Sequence, residues 1–95
     1  MKLVAIKPST KADKKYMAVF EQDSGRSKTV HFGAAGMSDY IHHKDEERKE
    51  RYLSRHKARE SWEKPDTAGA LSRWILWNKP TLAASIADYR RRFSL

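Results

Sequence analysis

The pattern of apolar residues changes part-way along the chain, and this change constrains the fold more than any other feature. Up to Phe32, apolar residues come in short β-rich runs or alternate with polar ones, as in strands. From Asp45 onward they recur at spacings of three and four, as in helices. The sequence therefore predicts a single α+β domain of 95 residues, with a small antiparallel sheet in the hairpin region 1–36 and a three-helix unit in the region 45–95.

The N-terminal part contains three strand-like runs. Lys15–Gln22 and Ser27–Phe32 flank the turn Asp23–Arg26, in which Gly25 suits a positive φ. Two β-rich runs around a short glycine-containing turn are typical of a β-hairpin. Lys2–Lys7 is a third β-rich run. We therefore expect a sheet of two or three strands.

The first predicted helix, Asp45–Trp62, sorts its charges onto opposite faces. The segment contains no Gly or Pro, and Asp45 is its expected N-cap. At about 100° per residue, its arginines fall within an arc of about 80°, with Trp62 in the same arc and Tyr52 at the edge. These arginines are Arg48, Arg51, Arg55 and Arg59. Three glutamates, Glu46, Glu47 and Glu50, project to the other side.

A row of arginines suits an array of phosphates or carboxylates. Each guanidinium offers a planar fork of donors and stays protonated. The alternative is a solvated helix face whose Arg stems cover apolar surface beneath them.

Two further helices are expected after Pro65. One runs from a cap at Asp66 or Thr67 to about Asn78 and is apolar nearly all round, which indicates a buried central helix. The other starts at Pro80, which suits a first helical position. One face of this third helix is formed by Leu82, Ile86, Tyr89 and Phe93. We expect the core to form around Trp74, Leu71, Leu82, Ile86 and Tyr89.

Other candidate binding residues lie near the ends of the helices. The basic ones are Lys44, Lys49, Arg90, Arg91 and Arg92. Cations in a last helical turn also complement the helix dipole. Trp62 either stacks on an unpaired base or closes the helix end against the core. Trp77 lies off the apolar stripe, and it is either an anchor of a protein interface or packs under the sheet.

The composition bears on the kind of partner. A net charge of +8 favours an anionic partner, either nucleic acid or an acidic protein. Cysteine is absent, which excludes disulfides and thiolate zinc sites. A His/carboxylate metal site built from His42, His43 and His56 is conceivable, but their spacing does not favour it, and we expect no cofactor.

Nothing resembles a signal peptide, and no apolar run approaches the ~20 residues of a membrane span. We therefore expect an intracellular protein that is not secreted.

The sequence also resembles a known family. The resemblance covers about residues 27–93 and is carried by short motifs, among them His43-Lys44-Asp45, Arg48-Lys49, Arg51-Tyr52, Arg55-His56, Thr67-Ala68-Gly69, Ser72-Arg73-Trp74 and Leu76-Trp77-Asn78-Lys79-Pro80-Thr81-Leu82. It is similar to small basic proteins of unknown function from large DNA viruses of algae and protists and from some algal genomes. The resemblance implies a viral or virus-derived setting, in the host cytoplasm or nucleus or inside the virion. It implies no catalytic or binding residue.

Three functions follow as hypotheses. The first is a non-enzymatic protein that binds the DNA or RNA backbone independently of sequence, as in viral genome packaging or virion assembly. The second is a structural, minor virion or assembly protein whose arginines bind acidic protein surfaces, such as those of viral structural proteins. A homo-oligomer is a further alternative for the partner. The third is a small metal-dependent nuclease. No nucleophile elbow, phosphate loop or paired-carboxylate motif is present, so we expect no enzyme.

Overall fold

Three strands precede all the helices in the chain. The computed structural model describes residues 1–95. β1 (Lys2–Pro8), β2 (Lys14–Glu21) and β3 (Ser27–Ala34) form an antiparallel sheet in the order β1-β2-β3. The helices are α1 (Tyr40–His43), α2 (Glu46–His56), α3 (Ala68–Leu71), which continues into the π-helical turn Ser72–Leu76, and α4 (Leu82–Phe93). The predicted α+β fold is confirmed, and the first run is indeed a third strand.

The sheet has one buried face, as the alternation predicts. Tyr16 pairs with Phe32 and Ala18 with Val30 across the hairpin, whose turn holds Gly25 at φ +87°. Side chains two apart on a strand project from the same face. The residues of the sheet that are fully buried are Leu3, Ala18, Phe20 and Phe32. They form the sheet side of the hydrophobic core.

The helical side of the core contains a different tryptophan from the one that the sequence predicts. Leu71 and Tyr89 are completely buried, as expected, but Trp77 belongs to the core instead of Trp74. The cause is the π-helical turn, which inserts an extra residue into the helix and shifts the stripe counted at 3.6 residues per turn. Ile75 and Leu76 therefore face the core, and Trp74 is only partly buried at its edge.

Trp77 does not offer an open surface to a partner. Its side chain is in the core, with the residue 9% exposed, and its ring stacks on Tyr52 of α2 with 4.2 Å between centroids and 2° between planes. The prediction that Trp77 anchors a protein interface is therefore corrected. Its packing in the core explains the difference: Tyr52 covers one face of the ring, and His43 lies 5.3 Å away between centroids.

The first long helix ends six residues earlier than predicted, at His56 instead of Trp62. Glu60 folds back so that its carboxylate accepts from His56 Nδ1 and Trp62 Nε1, both at 2.9 Å. The Trp62 carbonyl in turn accepts from Trp74 Nε1 at 3.1 Å. The bond from Trp62 to Glu60 joins side chains two residues apart, which do not face each other on a helix, so the chain leaves the helix after His56 and these bonds override the local helix propensity.

Helices α2, α3 and α4 each begin directly after a residue whose side chain caps the helix. The Asp45 side chain accepts from the backbone N–H of Glu47 and Arg48, which confirms it as an N-cap. Thr67 caps α3 in the same way. α4 begins at Leu82 with Thr81 as its cap, so Pro80 precedes the cap and is not the first helical residue. No helix of the protein has the length and apolar character needed to cross a membrane.

Candidate functional site

A cleft separates helix α2 from the edge of the sheet. It has a volume of about 590 Å³. One wall is the exposed side of α2, which contributes Arg48, Arg51 and Arg55. The opposite wall is the start of β2, which contributes Lys14 and Lys15. Cations from two elements that are distant in sequence therefore meet across one concave surface.

The arginines on the α2 wall have almost no partners within the chain. Arg48 and Arg55 are exposed, and their guanidinium groups make no hydrogen bond or ion pair. Arg51 reaches only Glu47, at 3.8 Å, in a pair whose side chains are 63% and 88% exposed. An ion pair this exposed contributes at most about 1 kcal/mol. All three groups are therefore free to bind an external anion.

The acidic residues of the cleft are already paired. Asp39 is 1% exposed, and its carboxylate accepts from Lys15 Nζ and from His42 Nδ1, the latter at 2.8 Å. Glu60 is held by its contacts with His56 and Trp62. The charge of Asp39 is compensated by Lys15, and the Glu60 carboxylate is occupied by its two hydrogen bonds. The cleft cations that lack a strong partner within the chain are therefore Lys14, Arg48, Arg51 and Arg55.

Behind the α2 wall lies a column of aromatic rings. The His56 ring stacks on Tyr52 with 4.2 Å between centroids, and Tyr52 stacks on Trp77 at the same distance. Burial raises the pKa of the Tyr52 phenol, which stays protonated. At the far end, His43 Nδ1 accepts from the Asp45 N–H, and burial lowers the pKa of this imidazole. The column is therefore neutral at its buried end.

Four of the predicted binding residues in or next to α2 lie away from this cleft. Arg59 follows the last residue of α2 and does not line the cleft. Trp62 is partly buried, with the Arg73 guanidinium 5.5 Å from its ring centroid, so it closes the end of the helical segment. Lys44 ends α1 in a left-handed conformation, and its Nζ donates to the Ile41 carbonyl. Lys49 is likewise engaged, because its Nζ donates to the Asn78 carbonyl.

The arginines of the last helix bind groups within the chain. Arg90 donates to the Leu3 carbonyl at 3.0 Å and so ties α4 to β1. Arg91 and Arg92 donate to the Asp88 carboxylate at 3.0 and 3.4 Å. Arg92 also lies 3.9 Å from the Trp74 ring centroid. None of the three arginines lines the cleft.

Lys14, Lys15 and His56 are cleft residues that the sequence prediction did not select. Nothing local reveals that Lys14 and Lys15 face α2, since the pairing of β2 and β3 brings them there. His56 did carry a local signal within α2, because it lies four residues after Tyr52, a spacing that places two side chains together on a helix.

The histidines do not form a metal site. His42 binds Asp39, His43 binds the Asp45 N–H, and His56 binds Glu60. No group of three or more His, Asp and Glu side chains is placed to hold a metal ion.

The fold and the cleft define a small basic α+β protein with a cationic cleft. The chain belongs to a family of unknown function, DUF5754, whose model matches residues 4–56. The matched part includes the whole of β2, β3, α1 and α2, and so both cationic walls of the cleft. No curated protein and no solved structure matches the chain.

Proposed function

We propose that this protein binds the nucleic-acid backbone, independently of sequence, at the arginine-lined cleft. The observation that carries the proposal is the set of guanidinium groups of Arg48, Arg51 and Arg55 on one wall, whose single ion pair is the exposed one between Arg51 and Glu47, facing Lys14 on the other wall. Lys15 lines the same wall as Lys14, but its Nζ is bound to Asp39. Arginine forks match the oxygens of phosphate groups, and such charge-assisted bonds are the strong ones. A repeating polyanion can engage several of these groups at once.

The chemistry of the cleft favours the backbone over the base edges. Asn and Gln, which read adenine in the major groove, do not line the cleft. The Arg and Lys side chains that do line it are able to read guanine, but they bind phosphates of any sequence. Contacts from Arg and Lys to phosphates position a nucleic acid without selecting its sequence. A role in viral genome packaging or virion assembly is compatible with such binding and is proposed as its setting.

The salt dependence of binding tests this proposal. For backbone contacts, log K falls linearly with log salt, by about 0.9 for each duplex phosphate neutralised and about 0.7 for single strands. We expect the Arg51→Ala/Arg55→Ala variant to lower this slope by roughly 1.4 to 1.8 and to keep the fold. Fluorescence anisotropy with labelled oligonucleotides gives the slope, and circular dichroism checks the fold.

A matched variant removes the same charge elsewhere. Lys7 and Arg26 are exposed, make no ion pair and lie outside the cleft. The Lys7→Ala/Arg26→Ala variant should keep a slope close to that of the parent. Equal losses in the two variants would show that bulk charge, not the cleft, binds the ligand. Absence of oligonucleotide binding at low salt would overturn the proposal and favour the acidic protein partner instead.

A further inference from the structure

We propose that the ligand of the cleft is an unpaired strand of DNA or RNA, one base of which stacks on the ring of His56. This inference rests on the proposed function and adds the class of nucleic acid. It comes from the aromatic column behind the α2 wall, whose outer end is at His56, one of the residues that line the cleft.

Tyr52, Trp77 and His56 all line the cleft, but Tyr52 and Trp77 are only 7% and 9% exposed, so His56 is the ring of the column that is most accessible. Tyr52 is covered on its two faces by His56 and Trp77, each 4.2 Å away between centroids. Trp77 is stacked on Tyr52 and contacts His43 in a tilted arrangement. The His56 side chain remains 35% exposed. Because Tyr52 covers its inner face, the exposed area lies on the outer face and edge of the imidazole.

The His56 ring is also held in a fixed orientation. Its Nδ1 binds the Glu60 carboxylate at 2.9 Å, and Trp62 Nε1 donates to the other oxygen of Glu60 at the same distance. A ring fixed by stacking on one face and by a hydrogen bond at its edge loses little entropy when a base is added to the other face. The imidazole is thus a preorganised stacking platform.

Phosphate donors lie next to this platform. Arg55 precedes His56 in the helix, and Arg51 is one helical turn before Arg55. A base on His56 therefore places its own phosphates beside these guanidinium groups. Stacking is tolerant of sequence because every base has a flat face, which agrees with the lack of Asn and Gln in the cleft.

The shape of the cleft favours a single strand over a duplex. Its volume of about 590 Å³ falls within the range of about 300–1,000 Å³ typical of small-molecule sites. A nucleotide can enter a concavity of this size. In a duplex the bases are already stacked and paired, and exposing one costs a few kcal/mol.

Single-stranded oligonucleotides that contain 2-aminopurine test the inference, since stacking quenches this fluorescent base. We expect quenching on binding, and tighter binding of single strands than of duplexes of the same length. The His56→Ala variant should bind single strands roughly 5- to 100-fold more weakly, as expected for the loss of one stacked base. The His56→Phe variant keeps a flat ring and should stay within about threefold of the parent.

The outcomes separate this inference from the proposed function. Equal single-strand affinity of the parent and His56→Ala, or unquenched 2-aminopurine with tighter duplex binding, would overturn the stacking model. In either case, a salt slope that still depends on Arg51 and Arg55 would leave the proposed function standing. If the circular dichroism of His56→Ala shows that this variant is unfolded, the stacking model is tested by comparing His56→Phe with the parent. A large loss of single-strand affinity in His56→Phe, together with 2-aminopurine that stays unquenched, would contradict stacking.

Discussion

At the scale of single residues, Gly33 shows how closely the sheet approaches the π-helical turn. Its φ is +79°, a region that residues with a Cβ rarely adopt. A Cβ at this position would also come within 2.8 Å of Leu76 Cδ1, which is in the core. Gly33 is therefore required by backbone conformation and by packing together.

The first stability prediction concerns this glycine. We expect Gly33→Ala to lower the free energy of unfolding by about 2–4 kcal/mol, since it combines strain at positive φ with overpacking of the core. Gly36→Ala is a matched control, because Gly36 has φ +85° but no atom within 4 Å of a Cβ. This control should lose only about 1–2 kcal/mol. Urea unfolding measures both, and equal losses would show that Leu76 gives way without cost.

At the scale of elements, helix α4 is fastened to the π-helical turn by a buried polar network. Asp88 is 7% exposed and accepts from Asn78 Nδ2 at 2.7 Å, and from Arg91 and Arg92. Asn78 also donates to the Trp74 carbonyl. The hydrogen bond from Asn78 and the neighbouring arginines hold the pKa of the Asp88 carboxyl below its usual value.

Removing this carboxylate should destabilise the docking of α4. We expect Asp88→Ala to cost about 2–3 kcal/mol at neutral pH, because the buried Asn78 amide loses a charged acceptor. A carboxyl with a depressed pKa in the folded protein stabilises it above the unfolded pKa of about 3.9, and this contribution disappears as the pH falls through the folded value. The parent should therefore lose more stability than Asp88→Ala on acidification below about pH 4.

Chemical denaturation across a pH series measures both effects. Arg91→Ala is the control, because the Arg91 side chain is 75% exposed and its loss should cost less than about 1 kcal/mol. A cost for Asp88→Ala no larger than that of Arg91→Ala would mean that Asn78 finds another acceptor.

At the scale of the whole molecule, the unequal distribution of charge has a consequence for stability. The protein carries a net charge of +8, and the arginines of the α2 wall make a single ion pair, the exposed one between Arg51 and Glu47. Like charges held on one surface repel each other, and in low salt this repulsion opposes folding. Binding surfaces of this kind are commonly maintained at some cost in stability.

Neutralising the α2 wall should therefore not destabilise the free protein. We expect Arg48→Gln/Arg51→Gln/Arg55→Gln to unfold at the same or a higher temperature in low salt, with a gain of about 0.5–1 kcal/mol. The difference should shrink at 1 M salt, where the screening length is about 3 Å. Thermal unfolding at two salt concentrations measures it. A triple variant that unfolds at a clearly lower temperature would show that these arginines cover apolar surface instead.

A control with the same change of charge uses scattered exposed cations. Lys7→Gln/Lys11→Gln/Arg26→Gln should change the unfolding temperature less, since these side chains do not line the cleft and make no ion pair. If the two triple variants respond alike, net charge explains the effect and the arrangement on α2 does not.

The sequence by itself determined the elements whose causes are local. Alternation over β2 and β3 placed Ala18, Phe20 and Phe32 on the buried face of the sheet, because successive side chains of a strand project to opposite faces. Asp45 and Thr67 marked helix starts, because their side chains satisfy free backbone N–H groups. The row of Arg48, Arg51 and Arg55 on one side of α2 also follows from helix geometry alone.

Only the tertiary structure decided what these elements form together. The contacts of Glu60 end α2 at His56, and the π-helical turn exchanges Trp77 for Trp74 in the core. Lys15 reaches the cleft because a sheet pairing places it there, with Asp39 beside it. Such contacts join residues far apart in sequence, and their energies outweigh local preferences of a few tenths of a kcal/mol. The row of arginines on α2 can thus be predicted from the sequence, whereas the cleft forms only when the sheet and the helices pack together.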